Sequence, residues 1–106
     1  MLVNLTPHIL SVHAGSDVPV AISPSGFLAR VAVTLTPCGT IEGFPLVSRS
    51  YGDVTGLPDP IEGTTYVVSA MVLEALKGSR PDVVAPGDSV RVDGVIVGCR
   101  GFAINK

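Results

Sequence analysis

Ser89-Val90-Arg91-Val92-Asp93-Gly94-Val95-Ile96-Val97-Gly98-Cys99 is the stretch whose reading decides the fold. Two runs rich in β-branched residues, 89–92 and 95–99, flank Asp93-Gly94. That dipeptide accepts the positive φ angles a two-residue hairpin turn needs at both positions. The pattern predicts an antiparallel hairpin near the end of the chain.

Working outward, the chain divides into short pieces at turn residues, the spacing of a β-rich domain. Residues 27–36 form the longest strand candidate: Phe27, Ala29, Val31, Val33 and Leu35 face one way, and Arg30, Thr34 and Thr36 the other. Pro37-Cys38-Gly39 ends it, and 44–51 follows with Val47, Arg49 and Tyr51 on one face. Shorter strands are expected at 2–5, at 9–14 up to Gly15-Ser16-Asp17, at 19–23 before Pro24-Ser25-Gly26, and at 64–68. One more covers 83–85, before a turn at Pro86-Gly87. The stretch from Gly52 to Gly63 is too rich in Gly and Pro for regular structure and reads as a long loop. Ser69 is a good N-cap for a helix over 70–77, with Lys77 in its last turn and Gly78 as its stop. Only Glu74 and Lys77 are charged there, so the helix is expected to be mostly buried.

The expectation is therefore an α+β domain spanning 1–106: a small, bent or barrel-like antiparallel sheet of six to eight strands with one packed helix. A doubly wound parallel sheet is disfavoured, because a single helix cannot make its crossovers.

Composition narrows the partners. Charged residues make up 15% of the chain and hydrophobic ones 46%, with a net charge of −2. So few charges leave little to solvate a free surface, which points to a homo-oligomer. Scattered arginines without a basic run argue against duplex nucleic acid. No stretch is long enough for a membrane helix, and no signal peptide is recognisable, so a cytoplasmic protein with reduced cysteines is expected. Cys38 and Cys99 lack the paired spacing of a zinc site and read as small buried or half-buried thiols. No metal or cofactor is expected.

The main polar cluster is Asn4-Leu5-Thr6-Pro7-His8. On a continuous strand Asn4, Thr6 and His8 would share one face, and Pro7 breaks the ladder beside them. Two readings stand side by side. The side chains satisfy loose backbone groups next to Pro7, or they bind a ligand, with His8 available for proton transfer near neutral pH. Anion recognition has further candidates. Ser69 opens the helix, Ser25 sits in the turn before Arg30, and Arg80 and Arg100 each suit a phosphate or pair locally. Asp59 and Glu62 read as solvated loop acids.

With these residues in view, the chain resembles a family of small proteins of tailed bacteriophages. The features that carry the resemblance are Val3-Asn4-Leu5-Thr6-Pro7-His8, Ile22-Ser23-Pro24-Ser25-Gly26 with Ala29-Arg30-Val31, and Gly56-Leu57-Pro58-Asp59-Pro60. Others are Gly63-Thr64-Thr65-Tyr66-Val67-Val68-Ser69, Arg80-Pro81-Asp82-Val83-Val84-Ala85-Pro86 and Val97-Gly98-Cys99-Arg100. The resemblance brings no reaction with it. It implies a phage accessory protein acting in the host cytoplasm, one strategy of which is to sequester nucleotide-derived immune signals.

Three functions follow as expectations. The first is a non-enzymatic binding protein for a small anionic or nucleotide-like ligand, built on Asn4, Thr6, His8, Ser25, Arg30, Ser69, Arg80 and Arg100. The second is a protein-interaction or structural phage module, which an exposed apolar patch would favour. The third is a small hydrolase or lyase with His8 as base, which needs a nucleophile or carboxylate within reach of the ring.

Overall fold

The hairpin at Asp93-Gly94 forms as its sequence dictates. In the computed structural model, which describes residues 1–13 and 18–105, Val92 pairs with Val95 across a turn whose two residues have φ of 52° and 80°. Among the described residues there are eight strands and one helix. These are β1 (Leu2–Asn4), β2 (Leu10–Val12), β3 (Val20–Ile22), β4 (Arg30–Ile41), β5 (Phe44–Thr55), β6 (Thr65–Val67), α1 (Ala70–Leu76), β7 (Val83–Val92) and β8 (Val95–Ala103). The turn expected at Gly15-Ser16-Asp17 lies outside the described residues.

Six strands form one sheet in the order β1-β6-β7-β8-β2-β3, and β4 with β5 forms a separate two-stranded ribbon. The fold is α+β, and the six-stranded sheet nearly closes like a barrel. Its strand directions are mixed rather than uniformly antiparallel: β1 with β6, β6 with β7 and β8 with β2 run parallel. The single helix supplies one crossover, β6-α1-β7, and the other parallel pairs join strands far apart in the chain. Long returns do the work that extra helices do in a doubly wound sheet.

Several strand boundaries differ from expectation: β4 begins at Arg30 rather than Phe27, and β8 runs past Cys99 to Ala103. Pro37-Cys38-Gly39 does not end β4. The extra residue is absorbed as a bulge between Pro37 and Gly39, and the strand runs on to Ile41. The true reversal is Glu42-Gly43, with φ of 48° and 81° at the two positions, so a second tight hairpin follows. Pro86-Gly87 likewise lies inside β7, Pro86 opposite Phe102 and Gly87 opposite Gly101. At the other end β5 continues to Thr55, which shortens the expected loop.

Ser69 caps α1, its Oγ accepting from the Val72 N–H at 3.3 Å. Lys77 is not in the last turn but is itself the left-handed C-cap, and its N–H donates to the Glu74 carbonyl. The helix is amphipathic rather than mostly buried. Val72 and Leu73 face the core, while Met71 and Glu74 are exposed. With only seven residues, it spans two turns and can turn only one face inward.

The core gathers Leu5, Tyr66, Val68, Val72, Leu73, Val83 and Ala85. Val3, Ala29, Val31, Val54, Leu57 and Leu76 pack around it. The root of the ribbon is thus anchored on the core through Val31 and Val54, which pair with each other. Gly56 makes the crossing beneath possible. Its φ is +81°, and a Cβ there would run into the Leu28 carbonyl. Cys99 is buried, whereas Cys38 is exposed on the ribbon rather than buried, its thiol 3.6 Å from the Leu46 carbonyl.

Candidate functional site

Strand β1 stops at Asn4, so Asn4, Thr6 and His8 do not share a strand face. The chain instead turns around the Asn4 side chain. Asn4 Oδ1 accepts from the Thr6 N–H at 2.9 Å and from Thr6 Oγ1 at 2.6 Å. Asn4 Nδ2 donates to the His8 carbonyl at 2.8 Å and to the Ile22 carbonyl at 3.1 Å. A buried amide with two acceptor and two donor bonds is fully satisfied. Ser25 completes the knot, with its N–H and its hydroxyl both donating to the Asn4 carbonyl, at 2.9 and 2.8 Å.

This knot ties the two ends of the sheet together. β1 and β3 are the outermost strands in the order, and Asn4 reaches from one to the other, while the Ala29 N–H donates to the Leu5 carbonyl at 3.1 Å. The residues after each edge strand thereby satisfy backbone groups that closure would otherwise leave unpaired.

Beside the knot lies a cleft of about 390 Å³, lined by Leu5, Thr6, Pro7, Leu28, Ala29, Arg30 and Ser69. It brings together three of the residues singled out from the sequence: Thr6, Arg30 and Ser69. The floor is apolar. The Arg30 guanidinium makes no hydrogen bond or ion pair among the described residues. The Thr6 hydroxyl proton is held by Asn4 Oδ1, whereas the Ser69 hydroxyl only accepts at the cap and keeps its proton. A charge and one free hydroxyl donor beside an apolar floor is a chemistry that recognises an anion carrying a flat or aliphatic body.

The remaining candidates lie elsewhere. His8 is exposed and borders a different cavity of about 450 Å³, with Ile9, Leu10, Ser11, Pro86, Ser89, Ile96 and Cys99 among its walls. No hydrogen bond joins its ring to Ser11, Ser89 or Cys99 among the described residues. Arg80 is committed to structure: Nε and Nη2 grip the Asp82 carboxylate at 2.9 Å each, and Nη2 also donates to the Pro58 carbonyl at 2.9 Å. The hydrogen bond from Arg80 is the main reason the Asp82 carboxyl sits below its ordinary value, against the opposing effect of burial. The same hydrogen bond raises Arg80 further. Arg100 lies in β8 and meets Asp88 at 3.7 Å, both exposed, a contact of small energetic weight.

One basic group of residues was not singled out from the sequence. Arg49 and Lys77 border a cavity of about 550 Å³ with Ser50, Tyr51, Asp53 and Ala75. The signal was present in the alternation that puts Arg49 on the same face as Val47 and Tyr51. What the sequence lacks is the packing of α1 beside that face, where the Tyr51 hydroxyl donates to Glu74 at 3.3 Å. The two acids beside this pair make it a poorer anion site than the Arg30 cleft.

Among the described residues, no group of three or more His, Cys, Asp or Glu side chains is placed to hold a metal ion, and no helix is long and apolar enough to cross a membrane. Comparison with protein-family models, curated proteins and solved structures finds no match.

Proposed function

We propose that this protein is a non-enzymatic, homo-oligomeric binding protein that holds a small anionic, nucleotide-like ligand in the cleft of Thr6, Arg30 and Ser69. In a phage setting that activity would withdraw a host nucleotide signal from solution. The observation that carries the reading is Arg30. Of the three arginines singled out, Arg80 is consumed by Asp82 and Pro58 and Arg100 faces Asp88, while Arg30 stands unneutralised over an apolar floor. Asn4 and Ser25 serve this site indirectly, by fixing the turn that carries Thr6 and Pro7.

The test is native mass spectrometry and calorimetry with mononucleotides and cyclic dinucleotides, on the full chain and on Arg30→Ala. Arg30 is exposed in the free protein, and loss of its charge-assisted hydrogen bonds to the bound anion is expected to weaken binding by about 1.5–3 kcal/mol. Retention of no nucleotide by the folded full chain, or unchanged affinity in Arg30→Ala, overturns the reading.

A second reading, an interaction or structural module, draws on a different observation. The outer half of the β4–β5 ribbon exposes Leu35, Ile41, Phe44, Leu46 and Val47. A folded chain that retains no nucleotide but captures a protein through this ribbon supports that reading instead.

A further inference from the structure

Beyond its root the ribbon stands free of the molecule. Val33 and Tyr51 are half-buried, but every residue from 34 to 50 is exposed. Pairing continues through this stretch, from Thr34 opposite Ser50 out to Ile41 opposite Phe44. Cross-strand partners share a face, so Leu35, Pro37 and Val47 continue outward the face that Val31 and Val54 present to the core, with Arg49 opposite Leu35 as its one charge. Past the bulge, Leu46, Ile41 and Phe44 occupy the opposite face. Phe44 is 69% exposed and Leu35 57%. Glu42 and Arg49 are the only charges in this segment. Both outer edges of the ribbon lack a neighbouring strand among the described residues.

An isolated two-stranded hairpin is marginal in water, and stability requires a third strand or a packed surface. An apolar, nearly uncharged ribbon with open edges is also the kind of surface that pairs with another chain. The size of the molecule points the same way. A compact chain of this mass exposes about 5,600 Å², whereas this one exposes 7226 Å². Its radius of gyration is 16.1 Å, against about 13 Å for a compact domain of this length. The surplus of roughly 1,600 Å² is about twice what one partner contributes to a standard interface.

We infer that the outer half of the β4–β5 ribbon is a self-association arm, covered in the working protein by a second copy of this chain. A second copy is the occupant because the ribbon needs cover in order to hold its shape, and other copies are present wherever the chain folds. Each copy also offers a second apolar area at the tip of the β7–β8 hairpin, where Val92, Val95 and Ile96 are exposed. The inference rests on the homo-oligomer part of the proposed function and is independent of the Arg30 cleft.

Light scattering from 1 to 100 µM (an order-of-magnitude range around common interface affinities) tests it on the full chain and on the double variant Leu35→Asp/Phe44→Asp. The full chain is expected to assemble. The variant, folded by circular dichroism, is expected to associate at least about 100-fold more weakly, the scale of losing interface anchors. A full chain that stays at 10.9 kDa throughout overturns both the arm and the oligomer, and the ribbon then becomes a surface for a foreign protein. A full chain and folded variant that assemble equally overturn the arm while leaving the oligomer standing. Hydrogen exchange on the unmutated chain covers the case of a misfolded variant. Protection of amides 34–50 that rises with protein concentration upholds the arm, and exchange there at the unprotected rate overturns it. Nucleotide binding by the dissociated variant separates failure of the arm from failure of the cleft.

Discussion

Asn4 Nδ2 lies 3.1 Å from the Ile22 carbonyl oxygen, a bond between the first and last strands of the six-stranded order. This buried amide closes the sheet together with the Ser25 and Ala29 bonds to the Asn4 and Leu5 carbonyls. Asn4→Ala leaves the Ile22 carbonyl and the Thr6 N–H without this partner, and the His8 carbonyl with only the Thr6 hydroxyl, at a cost of about 1–3 kcal/mol for each group that water cannot reach. The expected loss is about 2–4 kcal/mol by urea denaturation, and Asn4→Asp is expected to be no better, since a carboxylate cannot donate to two carbonyls. A loss below about 0.5 kcal/mol would show that closure does not depend on this residue.

Gly56 and Gly43 separate two costs of a side chain. Both have φ of +81°, but a Cβ at Gly43 meets nothing within 4 Å, while at Gly56 it collides with the Leu28 backbone. Gly43→Ala is expected to cost about 1 kcal/mol of strain. Gly56→Ala is expected to cost at least about 2 kcal/mol more, because backbone must move to make room. Equal melting temperatures for the two variants would contradict this account.

The Arg80–Asp82 pair sets an acid limit. The hydrogen bond from Arg80 lowers Asp82 below its ordinary 3.8, so the folded state binds fewer protons there than the unfolded chain. Its contribution is fully present above that ordinary value and is lost as pH falls through the lower folded one. Stability measured from about pH 5 down to about pH 2 should fall less steeply in Asp82→Asn, which is weaker at neutral pH but has no carboxyl to titrate. Parallel curves for the two proteins would remove the pair from the acid response. Arg80 is raised from an already high value, so no alkaline counterpart is expected in the ordinary range.

The two faces of the helix give a further contrast. Leu73 is buried against Tyr66, Val68 and Val83, and Met71 is exposed. Leu73→Ala should cost about 2–5 kcal/mol, and Met71→Ala under about 1 kcal/mol, in the same denaturant series. A reversal of the order would mean that α1 is rotated about its axis.

Local chemistry was legible in the sequence, and long-range pairing was not. Asp93-Gly94, Ser69 as N-cap and the alternation from Val31 to Leu35 each announce a conformation settled within a few residues, whereas Phe27 to Ala29, expected in the same strand, lie before its start at Arg30. Glu42-Gly43 carried a weaker form of the same hairpin signal, masked by Pro37-Cys38-Gly39. A proline tolerated at a bulge on an open edge looks in sequence like one that ends a strand. The parallel pairing of β1 with β6 and of β2 with β8 depends on surfaces brought together from opposite ends of the chain, which no local pattern encodes. The candidate site divides in the same way. Asn4, Thr6 and Ser25 stood out as polar residues among apolar ones, and Thr6 bonds locally to Asn4 and His8, but Asn4 to Ile22 and Ser25 to Asn4 join segments distant in the chain. The meeting of Thr6, Arg30 and Ser69 is a product of the closed sheet.

The order of pairing also constrains when the molecule can form during synthesis. Leu2 aligns with Thr65 and Val12 with Cys99, so β1 waits for β6 and β2 for β8. β2 can meet β3 early, but among the described residues β1 has no strand partner before β6, and contacts this distant in sequence form slowly. The unit β6-α1-β7-β8 is contiguous in the chain and holds the more local pairings, and β1 and β2 add to its two edges. Completion of the six-stranded sheet is thereby deferred until β8 has formed, and the free edges of β1 and β2 stay open to aggregation until their partners arrive.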